Sequence, residues 1–481
     1  MRKDQCHARS SARISPPNFP DLSARSVPRP STLTYDRGTL ILHPPPRGRA
    51  WVDHAQWDDR VERFRIPADR YRPLVEALAA EGTAVEDRAR AFTELPLDFA
   101  ADAYAPRAHQ SEALAAWEEA GRRGVVVLPT GAGKTFVAQM AMRVVGGSAL
   151  VVVPTLDLLH QWYAGLRAAF PGVEVGLLGG GSRDFDAPLL VSTYVSAAAE
   201  AERLGNKFAL VVFDEVHHLP AAFTRVIAQY SIAPCRLGLT ATPERSDGRD
   251  RDLLTLVGPV VYQRAPEDLA GGALAPFDEV HLRVTLTADE QSRYAAAIAR
   301  RNTFLQSRRI GLGSLQGWRN FVRASAGSPE GRAAMLAHRE ARRIAFHSEE
   351  KFRVLDELLA KHAGRRTLIF TDDTTMVYRV AEEYLLPAIT HQTPVKERHA
   401  VLARFRVGKY PVLVSSRVLN EGVDVPEASV AIVLSGTGAK REYIQRLGRI
   451  LRPGEGKRAV LYEIVAEGTG EENVSKRRRG S

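Results

Sequence analysis

The chain has 481 residues, 66 Lys+Arg against 56 Asp+Glu for a net charge of +10, with 44 % hydrophobic and 25 % charged residues. That is a globular composition, long enough for about two to four domains, with no apolar run near the ~20 residues a membrane span needs and no apolar secretory segment. Its two cysteines, Cys6 and Cys235, exclude a disulfide framework, a four-cysteine zinc site and an iron–sulfur cluster, and fit a reducing compartment such as the cytoplasm.

Residues 1–32 are rich in Ser, Pro and Arg and read as a disordered basic tail. Residues 33–100 combine a strand at 39–42 with a helix at 73–80, a small α+β module. From 101 to 265, β-branched runs at 125–128, 149–153, 189–192, 208–213 and 236–239 alternate with helical patterns. Such alternation predicts βαβ units and a parallel sheet. A second lobe, 266–470, repeats it with strands at 367–371, 411–415, 429–434 and 459–465. Within that lobe, 290–345 is helical, and Ser328-Pro329-Glu330 reads as a helix start with Ser as N-cap. Residues 471–481 read as a basic C-terminal tail. The expected class is α/β: two parallel-sheet lobes, a helical Arg-rich insertion and a small N-terminal module.

Charge is concentrated in the insertion. Residues 291–345 hold eleven arginines (293, 300, 301, 308, 309, 319, 323, 332, 339, 342 and 343) against Glu330 and Glu340, a net of +9. That density predicts a polyanion-binding surface. Trp318 and Phe321 lie between arginines, where they either stack on bases or pack the insertion's own core.

Leu128-Pro129-Thr130-Gly131-Ala132-Gly133-Lys134-Thr135 follows an apolar strand and precedes an apolar helix, the setting of a phosphate-binding loop. The glycines let successive N–H groups and the helix N-terminus face phosphate oxygens. Lys134 supplies a point charge, and the Thr135 hydroxyl a ligand for Mg²⁺. Leu128 stands where the generic pattern has its first glycine. About eighty residues on, the apolar run 208–213 ends in Asp214-Glu215. Two adjacent carboxylates suit phosphoryl transfer to water, Asp214 holding Mg²⁺ and Glu215 orienting the attacking water.

Asp214-Glu215-Val216-His217, Thr240-Ala241-Thr242 and Gln445-Arg446-Leu447-Gly448-Arg449-Ile450-Leu451-Arg452 together resemble the motifs of superfamily 2 helicases. Tyr35 to Leu40, Pro106 to Gln110, Val418 to Pro426 and Leu434 to Pro453 narrow the resemblance to the xeroderma pigmentosum group B (XPB) helicases in their archaeal and bacterial form. The resemblance implies two RecA-like lobes and an N-terminal damage-recognition-like module. It implies an ATP- and Mg²⁺-dependent motor on duplex, forked or single-stranded DNA, of 3′→5′ polarity, in DNA repair, with a structure-specific nuclease as partner and no membrane.

By the same resemblance Gln110 reads adenine, and Arg449 and Arg452 reach the γ-phosphate as arginine fingers, with Gln445 sensing it. Gly422 and Asp424 couple nucleotide to lobe closure, and His217, Thr240 and Thr242 link hydrolysis to motion between lobes. Pro154, Thr155, Ser192 and Thr193 touch the tracked strand. Glu244-Arg245-Ser246-Asp247 stands where the family has an Arg-Glu-Asp loop, so Arg245 and Asp247 match and Ser246 departs. The arginine spacing of three independently places 449 and 452 on one helix face. Competing readings are the motor of a restriction or defence complex, an RNA helicase, and a DNA-binding scaffold with a degenerate ATPase.

Overall fold

The structure is a computed structural model that describes residues 31–100, 105–242, 248–272, 274–416, 428–435 and 458–479. Three sheets organise it, in the order the sequence predicts.

The N-terminal module is a five-stranded sheet in the order Gln56–Asp58, Arg63–Pro67, Thr39–His43, Ser31–Asp36, Val85–Asp87. Its first hairpin turns on Arg37 and Gly38, both at positive φ (46° and 84°), with Asp36 paired to Thr39. Two left-handed residues give a turn whose twist matches the flanking strands, and glycine takes the second position without strain. A Cβ on Gly38 would also lie 2.5 Å from the Tyr230 ring, so the turn seats directly on the next domain. Tyr35 completes that joint, its hydroxyl donating to the carbonyl oxygens of Tyr230 at 3.0 Å and Glu202 at 3.1 Å. Burial raises its pKa to about 12.

The first lobe carries an eight-stranded sheet, ordered Val260–Gln263, Arg123–Val127, Cys235–Thr240, Leu210–Asp214, Ala149–Val153, Leu189–Thr193, Val175–Gly179, Ser182–Arg183. Only the last pairing is antiparallel. Its central strands are buried from end to end, which explains why they read as apolar runs without alternation. In the register, Thr240 lies beside Val127 and Leu239 beside both Val126 and Asp214. The strand ends that lead into the phosphate loop, the Thr-Ala-Thr segment and the acidic pair therefore adjoin along one sheet edge. That is the edge where open α/β sheets bind ligands.

Arg236, on the middle of these three strands, is fully buried, and burial lowers its pKa to about 9. Its guanidinium donates to the carbonyl oxygens of Leu256 (2.6 Å), Ser231 (2.8 Å) and Ala228 (2.9 Å), tying three chain segments under the sheet.

Among the described residues the second lobe has six parallel strands in the order Phe277–Val284, Ala459–Ala466, Val430–Val433, Thr367–Phe370, Val412–Ser415, Ala388–Ile389. The insertion follows its first strand as three helices, Ala288–Ser307, Leu315–Ala326 and Pro329–Phe346. Ser328 caps the third as expected, accepting from Gly331 N at 3.0 Å. No described helix is long and apolar enough to cross a membrane.

Residues 471–479, expected as tail, instead belong to a helix, Gly470–Arg479. The reason lies in its first turn, where Glu471 is buried against Lys351, itself 0 % exposed. Lys351 Nζ donates to Glu471 Oε2 at 2.7 Å and Oε1 at 2.9 Å, and to Leu434 O at 2.6 Å, while Ala466 N also donates to Glu471. Removing one member of a buried pair strands the other charge, at a cost of about 3–5 kcal/mol. Glu471→Gln should therefore destabilise this lobe by an amount in that range, read from its chemical-denaturation curve. An unchanged curve would show that the helix adds nothing to the fold.

Candidate active site

The loop between the strand Arg123–Val127 and the helix Lys134–Val145 is shaped by Gly131 and Gly133, at φ +89° and +87°. Ala132 between them is buried. A Cβ on Gly133 would meet the Gln110 amide at 2.1 Å, so only glycine fits there. The first N–H groups of the following helix have no intrahelical acceptor, which makes its start suited to phosphate oxygens. Lys134 Nζ rests on Leu128 O at 3.0 Å, holding the charge over the loop.

Gln110 reaches this loop from the helix Ala108–Glu119. Its amide donates to Ala132 O at 3.1 Å while its Oε1 accepts from Arg107 N at 2.9 Å. His109 Nε2 lies 2.8 Å from the same Ala132 oxygen, a loop-supporting role that no sequence motif assigns. Beside them a groove of about 660 Å³ opens, lined by Arg107, His109, Glu112, Arg264 and Asp268.

Asp214 ends its strand buried. Trp162 Nε1 donates to its Oδ2 at 2.7 Å and Glu215 N to its Oδ1 at 3.0 Å. Burial raises the carboxyl's pKa, opposed by the Trp162 hydrogen bond and the nearby Lys134 charge. Trp162 is a partner with no local sequence signal, because it sits on the separate helix Leu156–Ala169. Glu215 follows in a left-handed conformation (φ +48°), unusual for a residue with a Cβ and typical of strain held at a functional turn. Its carboxylate lies 3.5 Å from His217 Nδ1, which in turn is 3.3 Å from Thr240 Oγ1. Thr240 donates to Thr242 O at 2.8 Å and accepts from Thr242 N at 3.1 Å. A continuous polar chain thus joins the second acid to the Thr-Ala-Thr segment.

The donor set fits Mg²⁺. Thr135 offers a hydroxyl and Asp214 a carboxylate, both hard oxygens, and Mg²⁺ bound with phosphates needs only one or two protein ligands. No group of three or more His, Cys, Asp or Glu among the described residues would hold a metal by itself. A residue that orients a ligand typically changes metal affinity by about 10–100-fold when replaced. Trp162→Phe should therefore raise the Mg²⁺ concentration for half-maximal ATP turnover by about tenfold. No change would show that Asp214 is oriented without it.

Of the expected strand-tracking residues, Thr155 and Thr193 cap helices, accepting from Leu158 N (3.3 Å) and Ser196 N (3.1 Å). Ser192 is completely buried, its hydroxyl donating to Leu178 O and Thr193 O, so it cannot touch a ligand on the surface. Near Pro154-Thr155 the lobes meet, Asp157 accepting from Arg398 and His399 at 3.2 Å each. Arg245, Asp247, Gly422, Asp424, Gln445, Arg449 and Arg452 lie outside the described residues.

In the insertion the aromatics separate. Phe321 is 0 % exposed, packed with Phe304, Leu305 and Ala334, whereas Trp318 is 37 % exposed. Arg293 and Arg343 pair with Glu340, but Arg300, Arg308, Arg309, Arg319, Arg323, Arg332 and Arg339 are exposed and make no ion pair among the described residues.

Three family descriptions match the chain. Residues 33–89 match the xeroderma pigmentosum group B helicase damage recognition domain, 103–245 the type III restriction enzyme res subunit, and 350–454 the helicase conserved C-terminal domain. The chain is 40 % identical over 447 residues to the DNA 3′-5′ translocase XPB2 of Sulfurisphaera tokodaii, covering 93 % of this chain and 99 % of that one. It is 32 % identical over 450 residues to the DNA 3′-5′ helicase XPB of Mycobacterium tuberculosis, covering 90 % and 69 %. The crystal structure of the Pyrococcus furiosus Hef helicase domain shares the fold, with a TM-score of 0.54 at 18 % identity over 78 % of this chain and 98 % of that one. With near-complete overlap at this identity, and the acidic pair, the phosphate loop and the Thr-Ala-Thr segment adjoining on one sheet edge, the chain belongs to the XPB family of superfamily 2 helicases.

Proposed function

We propose that the protein hydrolyses ATP to move 3′→5′ on DNA and that this motion serves DNA repair. The observation that carries the reading is the juxtaposition of Lys134, Asp214, Glu215 and the His217–Thr240 link along adjoining strand ends. Lys134 and the start of its helix bind the β- and γ-phosphates, and Gln110 with the neighbouring groove takes the adenine. Thr135 and Asp214 hold Mg²⁺, which when bound neutralises charge on the phosphate oxygens. Glu215 orients water in line with the γ-phosphate, and its contact with His217 passes the change to Thr240 and Thr242. Arg449 and Arg452, with Gln445, are assigned to the γ-phosphate from the second lobe, so that ATP draws the lobes together and hydrolysis releases them. Gly422 and Asp424 are assigned to coupling nucleotide to that closure. Pro154, Thr155, Thr193, Arg245 and Asp247 are assigned to the DNA strand or its coupling.

The restriction-enzyme likeness covers residues 103–245 only, whereas the XPB2 translocase relative aligns along nearly the whole chain, which favours a DNA translocase of that type over a defence-complex subunit. A structure-specific nuclease is the partner we assign, and recovery of one with the tagged protein from native lysate is the outcome expected. Strand displacement on duplexes with a 3′ or a 5′ tail tests the motor itself. Displacement that needs ATP and the 3′ tail supports the reading; displacement from the 5′ tail alone overturns the polarity.

A further inference from the structure

A cavity of about 420 Å³ lies where the insertion meets the C-terminal helix, among Tyr294, Arg301, Trp318, His338, Arg342 and Phe346. Its volume falls in the range of small-ligand pockets, and its lining pairs aromatic faces with a few polar groups. Two positive charges sit in the wall. Arg301 is half-buried and bonds only the neutral Asn302 amide, at 2.9 Å and 3.1 Å, among the described residues. Arg342 lies 4.9 Å from the Phe346 ring centroid and has no carboxylate partner among the described residues. Glu471 also borders the cavity, but its oxygens are taken by Lys351 and Ala466 N. An unbalanced pair of guanidiniums beside an apolar hollow calls for an anionic ligand.

Two further observations specify that ligand. Trp318 is partly exposed at the cavity, its ring 5.2 Å from that of His338, so it offers a flat face to an aromatic guest. His338 Nδ1 is buried with no hydrogen-bond partner among the described residues. Burial, with Arg301, Arg342 and Arg339 nearby, lowers the imidazole's pKa to about 4. At neutral pH the ring is therefore uncharged, and one of its nitrogens can exchange a single hydrogen bond with a base edge. Exposed arginines of the same three helices, without ion pairs among the described residues, would hold the sugar–phosphate strand.

We propose that this cavity takes one unpaired nucleotide of the bound DNA, its base on Trp318, its edge at His338 and its phosphate on Arg301 and Arg342. The inference rests on the reading of the protein as a DNA motor. Extruding a nucleotide from a duplex is least unfavourable where it is already unpaired, so the cavity would mark bulges and frayed positions.

The test compares affinity for a fully paired duplex with that for the same duplex carrying one bulged adenosine, using the full chain and fluorescence anisotropy. Base–aromatic stacking predicts tighter binding of the bulged duplex by about fivefold or more. Trp318→Ala should remove most of that preference while paired-duplex affinity stays within about twofold. Should Trp318→Ala lose its thermal transition, Arg342→Gln, at an exposed position, makes the same comparison and should reduce the preference. Equal affinity of the wild type for both duplexes, or a preference unchanged in a folded variant, overturns the proposal. So does tight binding of free deoxyadenosine monophosphate without a bulge preference, which would assign the cavity to a free nucleotide. Binding of neither duplex would instead overturn the DNA reading beneath it.

Discussion

Lys134→Ala should reduce ATP turnover by at least about a hundredfold and weaken nucleotide binding as well, while Glu215→Gln should lose turnover and keep binding. The two side chains do different work. Lys134 is held at Leu128 O over the loop, so its charge is positioned before any phosphate arrives. Without it the loop keeps its backbone donors and loses its cation, which affects bound nucleotide and transition state alike. Glu215 lies in its left-handed turn and in contact with His217. Its glutamine variant retains shape and hydrogen bonding but not the charge that orients water, a role worth about 10²–10⁴ in rate. Steady-state turnover together with the binding of a fluorescent ATP analogue separates the two. A Glu215→Gln protein that binds no nucleotide would place the residue in the phosphate site.

The second expected result concerns the insertion. Replacing Arg319, Arg323 and Arg339 together by alanine should leave thermal stability nearly unchanged, because all three are exposed and make no ion pair among the described residues. DNA affinity should fall. The slope of log affinity against log salt should become shallower by about 0.9 for each phosphate the three side chains no longer neutralise, a total near two to three. Arg293 and Arg343 serve as controls, since Asp289 and Glu340 together already neutralise them, and Glu340 is itself held down to a pKa of about 2 by Arg343 and Arg293. An unchanged slope would mean that the basic face is only a solvated surface.

Range along the chain separates what is legible in the sequence from what is not. The phosphate loop and the acidic pair are contiguous strings whose chemistry needs neighbours along the chain, and each lies at the end of an apolar run that reads as a buried strand. The Ser328 cap is legible for the same reason. Trp162 on Asp214 and Lys351 on Glu471 join residues far apart, and Arg236 bonds backbone carbonyls that carry no residue type, so no local pattern announces them. The helix Gly470–Arg479 is obscured because its four basic residues, Lys476 to Arg479, dominate its composition while one acid anchors it. The strand Phe277–Val284 escapes notice because, at the sheet edge, its charged residues interrupt the apolar run that marks central strands. Ser192 and Thr193 look equivalent in a motif, yet one residue of strand period turns Ser192 into the core and leaves Thr193 to cap a helix.

If the Lys134–Glu215 site powers a DNA motor, DNA itself must drive its turnover. Steady-state ATP hydrolysis, measured with no nucleic acid, with single-stranded, duplex and forked DNA, and with RNA, decides this. Strong stimulation by DNA, little by RNA, and the disappearance of both in Lys134→Ala are the results expected. Turnover that is indifferent to DNA, or stimulated by RNA alone, would contradict the assignment.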